Sequence, residues 1–182
     1  MPWGGGLLID AVIARLRPVV DEVLIVAKDP APFVNRGARV AVDLHTEAHP
    51  WVGVDTGLRL AAHEVSFVCA CDMPWLQPGV IRYLDELLEG FDAVIPQGLK
   101  GLEPFHAIYR RRCAAILERA WQQGTRTFQD LLGDLRLRIV TAHELQDIEG
   151  WERSLINLNT LADCSIVLGT AQVQRREEEE VQ

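Results

Sequence analysis

The run Ser66-Phe67-Val68-Cys69-Ala70 constrains the fold more than any other stretch, because it is almost wholly apolar and breaks off at Cys71-Asp72-Met73-Pro74. A strand with no polar side has no water to face, so it belongs inside a sheet covered above and below. The Asp-Met-Pro turn then ends the strand and carries a carboxylate out of the core. Residues 23–27 and 39–42 are short apolar runs of the same character, and both predict strands buried on two faces.

Between these runs the period changes. Leu8, Val12, Ile13 and Leu16 recur at helical spacing, and that helix should end near Pro18. A polar loop from Asp43 to Gly53, holding Thr46, Glu47, His49 and Pro50, leads to a short helix from Val54 to Ala62. Pro78 to Leu88 reads as a helix with proline in its first turn, Ala93 to Pro96 as a short strand, and Glu103 to Arg111 as a further one. Cys113 to Gln123 and a second helix from Thr127 to Gly133 make a helical hairpin, and Arg138 to Thr141 is the last strand of the body. Strands alternating with helices predict an α/β fold with a mainly parallel sheet.

Size and charge narrow the function. The 182 residues suit one domain, and no apolar run approaches the ~18 residues that a bilayer crossing needs. With 48% hydrophobic and 24% charged residues the chain is globular, and its net charge of −8 disfavours wrapping a nucleic-acid backbone. Cys69, Cys71, Cys113 and Cys164 form no metal-binding pair and no disulfide framework, so they are expected to be reduced, buried thiols. The start of the chain has no secretory pattern, and the expected location is the cytoplasm. Glu177 to Glu180 reads as a solvated tail.

In open parallel sheets ligands bind beyond the carboxyl ends of the strands, so acidic residues that directly follow apolar runs are the first candidates. Asp72 is placed to bind Mg²⁺ and a nucleotide phosphate, the alternative being a turn former or helix cap. Asp43 follows Val40-Ala41-Val42 and either meets a ligand or makes an Asx-turn at the strand end. Asn157 and Asn159 alternate in Ile156-Asn-Leu-Asn-Thr160, so both amides face one side of an extended segment, where they bind a polar ligand or cap the turn that follows. His106, between Phe105 and Ala107, reads as a hydrogen-bonded core histidine and is given no role as a base. Gly4 to Gly6 precede a helix and are a weak phosphate-loop signal without a strand in front of them.

Taken in order, PWGGGLLIDAVIARLRPVVDEVLIVAKDP, Asp43 with Pro50 and Gly53 after it, ACDMPWL, EPFHAIYRR and INLNT resemble the molybdenum cofactor guanylyltransferase family from about Pro2 to Asp163. The resemblance implies a Rossmann-like three-layer α/β/α sandwich with a mainly parallel sheet, of the nucleotide-diphospho-sugar transferase type. It implies transfer of GMP from GTP to molybdopterin or molybdenum-molybdopterin with release of pyrophosphate, Mg²⁺ as cofactor, and transient contact with other molybdenum cofactor proteins. Neither nucleic acid nor membrane is an expected partner. By the same resemblance Asp72 is the catalytic Mg²⁺ and GTP ligand, Asp43 contacts GTP, and Asn157 and Asn159 face the pterin. The expected division is a nucleotidyltransferase-like domain over residues 1–164 and a C-terminal extension over 165–182.

Members of that family begin with a strand and a loop of the form LAGGxSxRMGxDK, and this chain starts just beyond the place of that lysine. Lys28 stands where the family has an asparagine, and Pro50-Trp51-Val52-Gly53 where it has Pro-Leu-Gly-Gly. Positioning and charge neutralisation drive phosphoryl transfer, so the chain as given is expected to bind GTP poorly. The alternatives are a noncatalytic nucleotide-binding or pterin-binding partner and a related cytidylyltransferase that uses CTP. Ser165 to Val173 is strand-like and a candidate to fill the place of that first strand, a frayed tail or terminal helix being the alternative.

Overall fold

The computed structural model describes residues 2–3, 6–46, 49–98, 101–125 and 127–158. Two short antiparallel strands, β1 (Pro2–Trp3) and β2 (Gly6–Leu7), lead into α1 (Leu8–Leu16), which buries the Leu8, Val12, Ile13 and Leu16 face legible in the sequence. Next come β3 (Leu24–Ala27) and β4 (Arg39–Val42), paired in parallel with Leu24 opposite Arg39 and Ala27 opposite Val42. α2 spans Pro50–Leu60 and so begins four residues before the expected Val54. The reason is local: His49 is extended, its Nδ1 accepts the Trp51 N–H at 3.3 Å, and Pro50 occupies the first turn, where its lack of an N–H costs nothing.

β5 (Val65–Cys69) and α3 (Pro78–Glu86) follow, then β6 (Ala93–Gly98), β7 (Gly101–Leu102) and β8 (His106–Arg110). α4 (Cys113–Gln122) is continued by one turn of α5 (Phe128–Leu131) and a 3₁₀ turn at Leu132–Asp134, so the second arm of the expected hairpin is a pair of tight turns. β9 (Leu137–Val140) ends one residue early, because Thr141 starts α6 (Ala142–Leu145) by reciprocal hydrogen bonds with Glu144. The last described helix is α7 (Trp151–Ser154).

The main sheet runs β5-β8-β6-β9, with β7 paired to the end of β6. β6 and β9 are parallel, but β8 is antiparallel to both β5 and β6, which corrects the expectation of a mainly parallel sheet to a mixed one. Periodicity reports burial and not direction; here the short connection from β6 to β8 holds no crossover helix, so the chain returns antiparallel. Side chains of β6 and β8 divide between two apolar layers. Ala93, Ile95, Ala107 and Tyr109 pack with Trp51 and Leu117 from α2 and α4. Val94 and Ile108 pack with Val12, Val80, Leu84 and Leu145 from α1, α3 and α6.

The β3–β4 pair is a separate sheet, and among the described residues no ladder joins it to β5. Their amino ends nonetheless meet. Glu22 accepts the Ala62 N–H at 2.8 Å and pairs with Arg39 at 2.6 Å, and Arg39 also reaches the Leu60 carbonyl. β3, β4 and β5 therefore point the same way, with their carboxyl ends on one side. A cavity of about 710 Å³ lies between β3 and β5.

Of the cysteines, Cys113 is buried and Cys69 partly so, but Cys71 is exposed, contrary to expectation, because it sits in the turn that leaves β5. Among the described residues no helix is long and apolar enough to cross a membrane.

Candidate active site at the carboxyl ends of the strands

Asp43 directly follows β4, and its N–H extends the ladder to the Ala27 carbonyl at 3.0 Å. Its Oδ1 accepts from Thr56 Oγ1 at 2.7 Å and from the His45 N–H at 3.2 Å, so the Asx-turn is present and Asp43 organises the loop it opens. Lys28, at the end of β3, donates to the Thr46 carbonyl of the same loop at 3.2 Å.

Asp72 lies in the turn after β5 and differs in kind. Its Oδ1 is buried with no hydrogen-bond partner, and burial raises its pKa above the usual carboxylate value. The Asp72 carbonyl accepts the Leu158 N–H at 2.9 Å, which brings the neighbouring Asn157 to the same turn. Asn157 Oδ1 is likewise buried and unpartnered. Two lone acceptors of this kind are costly inside a protein unless a ligand, ion or water meets them. Asp72 and Asn157 thus come together at one turn, while Asn159, like Gly4 and Gly5, lies outside the described residues.

His106 pairs with Cys69 across β8 and β5, one step below this turn. It is fully buried, stands edge-on to Phe67 with ring centroids 5.0 Å apart, and its Nε2 lies 2.7 Å from Ser154 Oγ, which also accepts the Gln77 N–H. Burial lowers its pKa to about 4, so the ring is neutral and supports the turn, as a core histidine should.

A second polar chain escaped the sequence reading. His45 Nε2 lies 2.7 Å from Asp55 Oδ2; Asp55 is buried, receives Arg59 Nε at 2.8 Å, and Arg59 continues to Glu118 at 2.6 Å. The Asp55 hydrogen bond raises the Arg59 pKa further. The i,i+4 spacing of Asp55 and Arg59 on a helix was its one sequence signal. Rings of His45, Trp51, Trp121 and His49 run beside it at centroid separations of 4.8 to 5.3 Å.

No group of three or more His, Cys, Asp or Glu side chains converges among the described residues. One buried carboxylate oxygen without a protein partner still fits Mg²⁺, which uses one or two carboxylates and takes its remaining ligands from phosphates and water. At the start of α1, Asp10 accepts the Leu7 N–H and pairs with Arg36 at 2.8 Å, so a carboxylate already occupies that helix end.

Residues 1–139 match the family described as MobA-like NTP transferase domain. The molybdenum cofactor guanylyltransferase of Desulfosudis oleivorans is 34% identical over 157 residues, covering 86% of this chain and 78% of that protein. A probable molybdenum cofactor guanylyltransferase of Methanosarcina mazei is 28% identical over 176 residues, 90% of this chain and 79% of that one. Among solved structures, molybdopterin-guanine dinucleotide biosynthesis protein A of Archaeoglobus fulgidus superposes with a TM-score of 0.79 at 26% identity, over 94% of this chain and 89% of the other. A 4-diphosphocytidyl-2C-methyl-D-erythritol synthase from Anaerococcus prevotii shares the fold alone, with a TM-score of 0.70 at 13% identity over 94% of this chain and 92% of the other. The mixed α/β sheet, the orphaned Asp72 carboxylate at its carboxyl edge and these likenesses agree, and the chain belongs to the MobA-like NTP transferase family.

Proposed function

We propose that the chain transfers GMP from GTP to molybdopterin or its molybdenum-bearing form and releases pyrophosphate. The observation that carries this reading is the pair of buried, unpartnered oxygens on Asp72 and Asn157, brought to one turn by the Leu158 to Asp72 hydrogen bond. In the reaction an acceptor phosphate oxygen attacks the α-phosphorus of GTP, and the bond from that phosphorus to the β-phosphate oxygen breaks. Asp72 would hold Mg²⁺ through Oδ1, and the ion when bound neutralises charge on the triphosphate and on the departing pyrophosphate.

The protein groups position and exclude water. Asp43 fixes the loop that meets the nucleotide and contacts GTP there. Asn157 offers Oδ1 as an acceptor for an N–H of the pterin, with Asn159 beside it. His106, neutral and hydrogen-bonded to Ser154, keeps the floor of the turn in place. In this reading residues 1–164 form one Rossmann-like three-layer domain, 165–182 are an extension, and the protein works in the cytoplasm, in transient contact with other molybdenum cofactor proteins.

Pyrophosphate release by the full chain, given Mg²⁺, molybdopterin and either GTP or CTP, tests the proposal. GTP-dependent release that is lost in Asp72→Asn is expected. Release with CTP alone would make it a cytidylyltransferase, and nucleotide binding without release would make it a noncatalytic partner.

A further inference from the structure

Residues 43–46, which open the loop after β4, are held to the body chiefly by polar bonds. Leu44, their one apolar residue, is 57% exposed and seats nothing. Thr56 Oγ1 donates to Asp43 Oδ1 at 2.7 Å and accepts the Leu44 N–H at 3.1 Å, His45 Nε2 lies 2.7 Å from Asp55 Oδ2, and Lys28 Nζ donates to the Thr46 carbonyl at 3.2 Å. Every residue of the four therefore has its own tie to a regular element. Asp55 and Thr56, which supply three of these bonds, are consecutive on α2 and are 1% and 0% exposed. Polar groups buried so deeply are costly unless paired, and here much of the pairing is spent on one loop.

Asp55 does not need His45 to balance its charge. Arg59 Nε sits 2.8 Å from each of its oxygens and supplies the countercharge from the same helix. What the bond to His45 adds is a crosslink between α2 and the loop. Because Arg59 donates to both oxygens, Asp55 acts as the acceptor throughout, and the proton shared with His45 sits on Nε2. The backbone N–H of the same histidine donates to Asp43 Oδ1 at 3.2 Å. His45 is thus fixed at two ends, its ring by Asp55 and by Trp51 at a centroid separation of 5.0 Å, its backbone by Asp43. Two donors, Thr56 and His45, then engage Asp43 Oδ1, which sets the plane of that carboxylate and leaves Oδ2 to meet a ligand.

We propose that Asp55 is a positioning residue for the nucleotide loop, acting through His45 to fix the carboxylate of Asp43. The inference rests on the reading that Asp43 contacts GTP. Asp55 itself touches no substrate, since it is buried on α2 with both oxygens taken by Arg59 and His45. Its effect is on the order of the loop that GTP meets. A contact made equally in the bound complex and in the transition state acts on KM and leaves kcat alone, so that is where loss of the crosslink should show.

The test compares the full chain with Asp55→Ala, His45→Ala, the double variant, and His45→Gln, whose side-chain N–H reaches about as far as Nε2–H does. Steady-state kinetics with Mg²⁺, GTP and molybdopterin give kcat and both KM values, and hydrogen exchange follows the Leu44 and His45 amides, which end on Thr56 and Asp43. Each alanine variant should raise the KM for GTP about tenfold, with kcat and the KM for molybdopterin within about twofold. The double variant should be no worse than either single one, and His45→Gln should recover most of the loss. In Asp55→Ala the two loop amides should exchange at least about tenfold faster while those of β3 keep their protection. His45 and Arg59 are both partly exposed, so they turn to water when Asp55 is gone; should Asp55→Ala still fail to fold, His45→Ala and His45→Gln carry the test. Additive losses in the double variant, a fall in kcat in place of a rise in the GTP KM, or unchanged loop exchange would each overturn the proposal. Faster loop exchange in a protein whose wild type turns over no GTP would overturn the nucleotide reading and this role with it.

Discussion

At the scale of single residues, two carboxylates show how burial divides roles. Asp72 has no partner for its buried Oδ1, whereas Asp92 is surrounded by them: Arg136 N–H at 2.8 Å, Arg112 Nε at 2.5 Å and Arg136 Nε at 3.4 Å. Burial works against ionisation of Asp92, but the Arg136 and Arg112 hydrogen bonds outweigh it and hold the pKa below its ordinary value. Asp92 is therefore a structural group that ties the starts of β6 and β9 to the end of β8. Asp92→Asn should cost about 2 kcal/mol in urea unfolding, since Arg112 and Arg136 lose their shared anion yet remain half-exposed. An unchanged midpoint would mean that those arginines simply turn to water. Asp72→Asn should leave stability intact or higher, because it removes a buried charge, and lower GTP turnover on the order of a hundredfold. Asn157→Ala should raise the KM for the pterin acceptor more than that for GTP. A calorimetric Mg²⁺–GTP titration that cannot tell Asp72→Asn from wild type would place the metal elsewhere.

At the scale of elements, termini are set by caps that the sequence displays only in part. α6 depends on Glu144, whose carboxyl is held at about 2 by the Arg138 guanidinium and by the Thr141 N–H, against an ordinary 4.5. A lowered pKa stabilises the fold fully above about pH 4.5, and that contribution drains away as pH falls toward about 2. Glu144→Gln should thus flatten the fall of the urea midpoint between pH 5 and pH 3; the same slope in both proteins would assign the loss to other carboxylates. The place of β4 at Arg39–Val42 was legible from its short run of strand formers, but its expected burial on two faces is corrected, since Arg39 and Val42 lie exposed and Val40 and Ala41 are only half-buried. The start of α2 was not legible, since Pro50 reads as a breaker until His49 is seen capping the turn behind it. Nor was the direction of β8, because His106-Ala-Ile-Tyr-Arg110 buries the same residues whichever way it runs. Asp72 was legible from its own neighbourhood, whereas its meeting with Asn157 depends on a contact between distant parts of the chain, and only the resemblance joined the two.

At the scale of the whole molecule, one sheet serves two apolar layers, with Leu117 buried on one side and Leu84 on the other. Leu84→Ala and Leu117→Ala should each cost about 3 kcal/mol. Because the two belong to separate layers, their losses should add to within about 0.5 kcal/mol in the double variant, measured by urea unfolding. A large coupling energy would show that the sheet transmits repacking from one layer to the other. The small antiparallel pair at the start of the chain reaches across to the candidate site. Trp3 meets Trp75 edge-on, with ring centroids 5.3 Å apart and planes at 75°, and Trp75 is three residues beyond Asp72. Two indoles so close and so inclined couple their electronic transitions, which gives the turn a spectroscopic voice of its own. Trp3→Phe should abolish a near-ultraviolet circular dichroism couplet while far-ultraviolet ellipticity stays constant, and in the intact pair nucleotide binding at Asp72 should change that couplet, so that occupancy can be followed by light alone, without label or turnover.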